Sequence, residues 1–396
     1  GSNQYTFTFG SATTAGGDVV SYYVVAQDAA ATPNVTALPL AGAAGFTASP
    51  PAASTPPTTP NTFTAQGTIS GTKTVCASGC TYTSLTGAGG AFAAINSSTV
   101  NGNVIIEVAG DSTSETGANG LNPFASPYTV KIYPTGSARV VSGALASAGL
   151  IKLNGADRVT IDGSIGGTGT DRSLTITNTS TTSPTAVALI SSGTGAGASS
   201  DVVKNCNIST GISTATGYGI AVGGSTPGTS GADNDDVTLQ NNSITVATIS
   251  IYAIGTASVS TGGNDNLVIS GNNINSSSTI QNYGIEVGNA LTSSITQNTI
   301  SVTSSGTVQP TGISLETGFV SSSVTRNTIT NVLATSAGGY GGRGITVGTG
   351  TATSALTIAN NMIYGVNGSN WNAFSNSSSM GICIGTIGGS TTVTTT

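Results

Sequence analysis

A short phrase of polar and apolar residues recurs along the second half of the chain. It places polar residues, most often asparagine, directly before an aliphatic anchor. The anchors are Ile208, Ile244, Ile274, Ile300, Ile329 and Ile363, and the steps between them are 36, 30, 26, 29 and 34 residues. A phrase that returns at such a period indicates a repeat architecture, in which each repeat is one supersecondary unit that must stack on its neighbours.

A second phrase keeps step with the first and alternates as a half-buried strand does. In the segments 283–287 and 343–347, two apolar residues lie two positions apart and a polar residue stands between them. Side chains two apart on a strand share one face, so each coil has an apolar face that it cannot bury alone. Coils stacked about 4.8 Å apart can bury it together. The pattern therefore predicts an all-β protein, a right-handed parallel β-helix with two or three short strands in each coil.

Alternating segments also precede the regular repeats, so we predict that the solenoid spans 62–396. These upstream segments are 104–108, 128–132, 150–153, 158–163, 174–176 and 185–189. A first coil without cover would expose an apolar, edge-like end, so we expect an N-terminal cap around 62–100. The stretch 85–95 has the pattern of a short amphipathic helix that could form this cap.

Five asparagines occupy one position of the repeat, two residues before the anchor. They are Asn242, Asn272, Asn298, Asn327 and Asn361, and Cys206 takes this position in the first copy. Amide side chains stacked coil on coil can hydrogen-bond up and down the solenoid as a ladder. The alternative is that each asparagine only adopts the left-handed conformation of a local turn. Both interpretations make these residues structural.

The first 48 residues carry a different pattern. Strand-like segments at 5–9 and 21–28 predict a hairpin, and 45–48 predicts a further strand. Residues 1–48 look like the closing strands of an immunoglobulin-like or fibronectin-like sandwich. A Pro/Thr-rich linker follows at 49–61. Half a sandwich cannot bury its own core, so we expect these strands to pack on the solenoid, on a neighbouring copy or on a partner chain.

Composition excludes several classes of protein. The chain is 37% hydrophobic and only 6% charged, so it does not meet the conditions for disorder. Its net charge of −6, with nine scattered Lys and Arg, makes nucleic acid an unlikely partner. No apolar run approaches the roughly 20 residues of a membrane span, so we expect no membrane insertion. The chain opens without Met or a signal peptide, which favours a mature or excised fragment.

The four cysteines fall into two groups. Cys76 and Cys80 flank a glycine turn and could form a disulfide in an oxidising compartment or half of a metal site. The disulfide is favoured because the chain has no histidine and the other thiols are distant in sequence. Cys206 and Cys383 fall on core-type positions of the repeat, which predicts buried, inert thiols. The lack of histidine also excludes His-based triads and His metal sites.

Acidic residues cluster in one pair of loops. Asp233, Asp235 and Asp236 stand one period before Asp265, so these loops are expected to stack near one another. Carboxylates in such loops could hold Ca²⁺, the only cofactor that the sequence suggests. They could also act as a catalytic carboxylate pair, although no Lys or Arg lies in the loop. The favoured interpretation is that Asp and Asn simply form the turns.

Glu286 and Glu316 form a second acidic pair. The repeat places both on outward positions of the second strand type in adjacent coils, a spacing that resembles a glycosidase pair. A mixed exposed face that also carries Ser314 and Thr346 explains them equally well.

Three segments carry a family likeness. Residues 152–163, 171–178 and 202–208 resemble the right-handed β-helix region of large secreted surface proteins of Bacteroidetes-type bacteria. The segment 22–28 and the Pro/Thr linker look like the immunoglobulin-like module that often precedes this region. The resemblance implies export, a modular giant chain and attachment to the cell surface.

Two functions from different classes follow. We expect an extracellular structural or adhesive protein of the cell surface, part of a larger chain or of a self-assembling filament. Its expected partners are copies of itself or neighbouring domains, and glycans or surfaces are further candidates. The alternative is a carbohydrate-binding or carbohydrate-active β-helix of the polysaccharide lyase or hydrolase type. A single tryptophan, Trp371, and the lack of a catalytic constellation favour the first function and predict no enzymatic activity.

Overall fold

A computed structural model describes residues 16–32, 34–38, 59–211, 214–257, 261–280, 282–337, 340–350, 354–368 and 378–385. The chain divides into two compact units. The larger comprises Ser70–Asn96 and Val100–Thr396, and the smaller comprises Gly1–Ile69 and Ser97–Thr99. The predicted strands at 5–9 and 45–48, most of the linker and Trp371 lie outside the described residues.

The larger unit is a parallel β-solenoid of about nine turns, which confirms the predicted fold class. Three parallel sheets run along it, and a regular coil contributes one strand to each. The first sheet consists of Thr68–Val75, Thr99–Val108, Val130–Pro134, Val159–Asp162, Val202–Lys204, Thr238–Gln240, Val268–Ser270, Ser294–Thr296, Ser323–Thr325 and Thr357–Ala359.

The other two sheets follow in chain order within each coil. The second sheet consists of Arg139–Gly143, Leu174–Asn178, Cys206–Thr210, Ser243–Thr245, Asn273–Ser278, Thr299–Ser304, Thr328–Thr330, Met362–Tyr364, Leu333–Ala334 and Asn367–Gly368. The third sheet consists of Gly149–Asn154, Thr185–Ile190, Tyr218–Gly223, Ile249–Ile254, Tyr283–Gly288, Thr311–Leu315, Arg343–Val347 and Met380–Ile384. A two-stranded parallel sheet at one corner pairs Ala290–Leu291 with Phe319–Val320.

The aliphatic anchors of the repeat form one file in the core. Ile244 pairs in register with Ile274, Ile274 with Ile300, and Ile300 with Ile329. All four side chains are fully buried. The strands of the third sheet contribute a parallel file that includes Ile285. Successive coils therefore share a single hydrophobic interior, as the alternation predicts.

Two sharp corners repeat from coil to coil with a residue in the left-handed region. The corner before the first sheet places Arg158, Ser200, Asp236, Asn266, Thr292 and Ser321 at φ between 48° and 61°. The corner between the first and second sheets places Asn205, Asn241, Gly271, Gln297, Arg326 and Asn360 at φ between 51° and 63°. Left-handed backbone is tolerated best by Gly, Asn and Asp, which explains the polar residues at these bends.

The N-terminal end of the solenoid carries the one α-helix of the described residues. It spans Ala91–Asn96 and buries Phe92 and Ile95. The predicted helix at 85–95 was therefore too long, because residues 85–90 form turns that are rich in glycine. A short 3-10 helix lies at Ile165–Gly167. Within the described part of the chain, no helix has the length and apolar character needed to cross a membrane.

The smaller unit contains two small antiparallel sheets. Val19–Tyr22 pairs with Asn61–Thr64, and Val24–Gln27 pairs with Val35–Leu38. The sequence placed the start of the solenoid at residue 62, whereas the strand at Asn61–Thr64 belongs to this smaller unit. This strand has four residues and one apolar side chain, Phe63, so its sequence does not indicate which strand it pairs with.

Candidate functional site

Three consecutive strands of the third sheet, Thr185–Ile190, Tyr218–Gly223 and Ile249–Ile254, are buried on both faces. The outward file of this sheet runs through Lys152, Ala188, Ala221, Tyr252, Glu286, Ser314, Thr346 and Cys383, one residue per coil. Ala188, Ala221 and Tyr252 are 1%, 3% and 6% exposed although they point away from the core. The Gly228 carbonyl accepts a hydrogen bond from the Tyr252 hydroxyl at 3.0 Å. The outward face is therefore shielded from bulk water at these three coils.

Glu286 lies in this shielded file, between Tyr252 and Ser314 on the neighbouring coils. Burial and then the charge of Glu316 raise the pKa of the Glu286 carboxyl to about 7. Burial and then the Glu286 charge raise the pKa of Tyr283 to about 12. A carboxyl with this pKa exchanges its proton near neutral pH.

The two glutamates of the predicted pair do not face each other. They lie on adjacent coils, as the repeat predicts, but Glu286 pairs in register with Ser314. Glu316 follows the end of its strand, and its carboxylate accepts a hydrogen bond of 2.5 Å from the Ser314 hydroxyl. Glu316 therefore lies two residues beyond Ser314, the register partner of Glu286. The sequence pattern did not resolve this offset.

A pocket of about 400 Å³ opens on this face beside Glu316. Tyr283 and Tyr340 contribute rings to it, and Gln309, Arg343 and Thr346 contribute polar groups. Cys383 also lines the pocket, although it is only 7% exposed. The sequence predicted a buried thiol at a core-type position; Cys383 is buried, but it pairs with Thr346 in the outward file rather than with the core file.

The acidic loops use their carboxylates to hold the backbone of neighbouring coils. Asp235 accepts a hydrogen bond from the backbone N–H of Asp265 at 2.8 Å, and Asp265 accepts one from Leu291 at 2.9 Å. Asp233 accepts from the N–H groups of Gly195 and Gly262, one for each carboxylate oxygen. These loops stack on one another, as predicted.

The carboxylates of the same loops act on one another electrostatically and bond to protein groups. Burial raises the pKa of both Asp235 and Asp265, and neighbouring carboxylates, including Asp233 and Asp236, raise it further. Asp236 accepts a hydrogen bond from the Asn266 amide at 3.0 Å rather than turning towards Asp235. Among the described residues, no three His, Cys, Asp or Glu side chains lie together so that they could hold a metal ion.

The predicted asparagines form a continuous hydrogen-bonded ladder. Each amide oxygen from Asn272 to Asn361 accepts two hydrogen bonds of 2.9–3.1 Å from the asparagine one coil before, one from its backbone N–H and one from its amide. Each amide nitrogen also donates to a carbonyl of the first sheet, at 2.8–3.0 Å. The left-handed conformation belongs to the preceding residue, so the ladder residues are not the turn residues.

The other predicted cysteines have structural positions. Cys76 and Cys80 are joined by a disulfide, with their Cα atoms 5.5 Å apart. Cys206 is fully buried at the first position of the ladder, where its backbone N–H donates to the Asn242 amide oxygen at 3.1 Å. Burial raises the pKa of the Cys206 thiol, which keeps it protonated and unreactive.

The sequence interpretation did not single out the buried acids Glu115 and Asp201. Glu115, 2% exposed, holds the turn before the helix by accepting hydrogen bonds from the backbone N–H groups of Leu85 and Thr86. Asp201 is fully buried and accepts a hydrogen bond from Val159 at 2.7 Å, and burial raises its pKa well above the usual value. A single acid in a polar loop gives no periodic signal, so neither role could be predicted.

Function has to be argued from this geometry, because one fold supports many activities. The described acids act mainly as acceptors for backbone N–H groups, and two tyrosines, one acid and one arginine line the pocket beside Glu316. No protein-family model matches the chain, and no curated protein matches it.

Proposed function

We propose that this chain is a structural and adhesive protein of a bacterial cell surface, in which the solenoid acts as a stiff, non-catalytic scaffold. It belongs to a larger modular chain or to a self-assembling filament. The likeness of residues 152–163, 171–178 and 202–208 to secreted surface proteins of Bacteroidetes-type bacteria agrees with this assignment.

One observation carries the proposal: the acids of the solenoid bind the backbone of adjacent coils. Asp111, Asp157, Asp201, Asp235 and Asp265 each accept a hydrogen bond of 2.7–3.0 Å from a backbone N–H group on a neighbouring coil. A catalytic carboxylate must instead be aimed at a substrate. These side chains therefore stabilise the stack, which is what a scaffold requires.

The asparagine ladder supports the same function. It runs through five coils with both the oxygen and the nitrogen of each internal amide satisfied. A buried amide with all its hydrogen bonds made resists displacement, because any slip of one coil breaks several bonds together. A solenoid so connected transmits force along its axis.

The surface chemistry suits a protein outside the cell. A disulfide between Cys76 and Cys80 persists only in an oxidising compartment. With 6% charged residues, electrostatic repulsion between copies is small, which favours self-association. Antibody labelling of intact cells of the native source tests the location, and labelling that appears only after permeabilisation would contradict it.

Force spectroscopy and a turnover assay together test the scaffold. We expect the chain, pulled between two reference domains, to unfold at a force that falls in Asn298→Ala and not in the exposed control Asn273→Ala. We expect no product from a panel of polysaccharides. Turnover that is lost in Glu286→Ala would overturn the non-catalytic part of the proposal.

A further inference from the structure

We propose that the pocket between Tyr283, Glu316, Tyr340 and Arg343 binds a neutral saccharide, and that adhesion by the solenoid takes place there. This inference rests on the proposed adhesive function and gives it a ligand class and a location. The pocket lies on the outer face of the third sheet, over the strands Thr311–Leu315 and Arg343–Val347.

The mixture of side chains in the pocket matches the chemistry of a sugar. A pyranose presents hydroxyl groups around its edge and C–H groups on its faces. Tyr283 and Tyr340 provide rings against which C–H groups can pack. Glu316, Gln309 and Arg343 provide planar groups with acceptors and donors for sugar hydroxyls. The volume of about 400 Å³ lies within the range of small-molecule sites.

The charge in the pocket favours a neutral ligand over an anionic one. The Glu286 and Glu316 carboxyl groups raise the pKa of the Tyr283 hydroxyl, and the Arg343 guanidinium lowers it, so two carboxyl groups and one guanidinium act on this hydroxyl. A polyanion such as a uronate polymer therefore meets more like charge than opposite charge. The hydroxyls of a neutral saccharide can bond to a carboxylate and to a guanidinium alike.

The floor of the pocket is preorganised by the sheet. Tyr283, Thr311 and Arg343 stand in register on three successive coils. Beside them, the hydroxyls of Ser314 and Thr346 lie 2.8 Å apart in a hydrogen bond. Side chains fixed by parallel strands lose little freedom when a ligand arrives, which favours binding.

A second pocket on the same face has different chemistry and does not compete for this role. It measures about 310 Å³ and is lined mainly by amides. Lys152 is the one charged residue in its lining. It has no aromatic ring, so it lacks the stacking surface that the first pocket offers.

The test uses the full chain and soluble neutral oligosaccharides built from glucose, galactose, mannose or N-acetylglucosamine, with oligogalacturonate and chitosan oligomers as charged comparators. Calorimetry and saturation-transfer NMR measure binding. We expect millimolar or tighter binding of a neutral oligosaccharide, and a loss of about tenfold or more in Tyr340→Ala, as for a central aromatic contact. Glu316→Gln keeps the planar shape and should weaken binding less.

The matched control is Tyr364→Ala, which removes an exposed tyrosine of the second sheet that does not line the pocket. Binding that is equal in wild type, Tyr340→Ala and Glu316→Gln would overturn the inference, and so would a preference for a charged comparator. Absence of binding to every neutral oligosaccharide by a folded chain would overturn it too. Because the pulling experiment does not involve a ligand, that outcome would leave the scaffold function standing. Turnover of a bound saccharide would support the site and contradict only the non-catalytic function.

Discussion

At the scale of single residues, the hydrogen bonds of amide and carboxyl groups stabilise this protein, whereas ion pairs are few. The described residues contain two salt bridges, Arg158–Asp157 and Lys204–Asp162. Many other polar contacts in the solenoid join an Asn, Asp, Ser or Thr side chain to the backbone of a neighbouring coil. When such a group is buried it must make its hydrogen bond, because a buried donor or acceptor without a partner costs about 1–3 kcal/mol of stability.

The ladder gives the first prediction. In Asn298→Ala, the backbone N–H and amide of Asn272 lose their acceptor, and the carbonyl of Ile269 loses its donor. We expect the free energy of unfolding to fall by about 3 kcal/mol, from groups worth about 1–3 kcal/mol each. Denaturation followed by circular dichroism measures it. Asn273→Ala, one residue along and exposed, should change it by less than about 0.5 kcal/mol, and equal effects of the two substitutions would contradict the ladder.

Glu286 gives a prediction about pH. Its folded pKa of about 7 lies above its ordinary value of 4.5, so the folded state retains a proton that the unfolded state releases. The contribution of Glu286 to stability is therefore complete below about pH 4.5 and is lost as pH rises through 7. The loss is at most about 3.5 kcal/mol, at about 1.4 kcal/mol per pKa unit.

Glu286→Gln should remove this dependence. We expect its melting temperature to exceed that of the wild type at pH 8 and to approach it at pH 4.5. Differential scanning calorimetry across this range measures the effect, with Glu107→Gln as the control carboxyl. A wild-type advantage that grows towards pH 8 would show that Glu286 is stabilised in its charged form.

At the scale of elements, glycine sets how closely the third sheet approaches the second. Gly284, Gly312 and Gly344 stand one above another at the start of the strands of the third sheet. A Cβ on Gly312 would lie 2.6 Å from the carbonyl oxygen of Gly344 and 2.6 Å from the Ile329 Cγ2 atom. Both neighbours are fixed in the core, so a side chain cannot be accommodated without moving a coil.

Gly312→Ala should therefore destabilise the solenoid by about 1–3 kcal/mol, the usual cost of overpacking. Gly381 occupies the same column in the last coil of the described residues, and a Cβ there would meet nothing within 4 Å. Gly381→Ala is thus a control at the matched position. Thermal unfolding measures both variants, and a neutral Gly312→Ala would contradict the close approach of the two sheets.

Sequence predicted the elements that carry a periodic signal and missed those that do not. Repeated phrases located the second and third sheets and the ladder, because every coil carries the same pattern of polar and apolar positions. The first-sheet strands such as Thr238–Gln240 have only three residues, too few to show alternation. The pocket depends on loop residues such as Gln309 and Tyr340, whose positions no local pattern specifies. The acidic pair Glu286 and Glu316 was found by sequence, but its offset required the strand register.

At the scale of the whole solenoid, one hydrophobic interior connects coils that are far apart in sequence. Coils contact mainly their neighbours, so stability accumulates along the stack, and Arg172 adds a contact with Asn241 two coils away. The same register that aligns the isoleucines brings Tyr283, Thr311 and Arg343 into one column under the pocket. Scaffold and binding face are therefore consequences of a single stacking pattern.

Engineered cross-linking tests this stacking register most directly. Thr296 and Thr325 are paired on adjacent coils with their hydroxyl oxygens 3.3 Å apart. Strand spacing of about 4.8 Å lies within the Cα separation that a disulfide spans, whereas an offset of two residues places Cα atoms about 8 Å apart. We predict that Thr296→Cys with Thr325→Cys forms a disulfide under mild oxidation, and that Thr296→Cys with Ser323→Cys does not. Peptide mass spectrometry that finds the second cross-link in preference to the first would contradict the register.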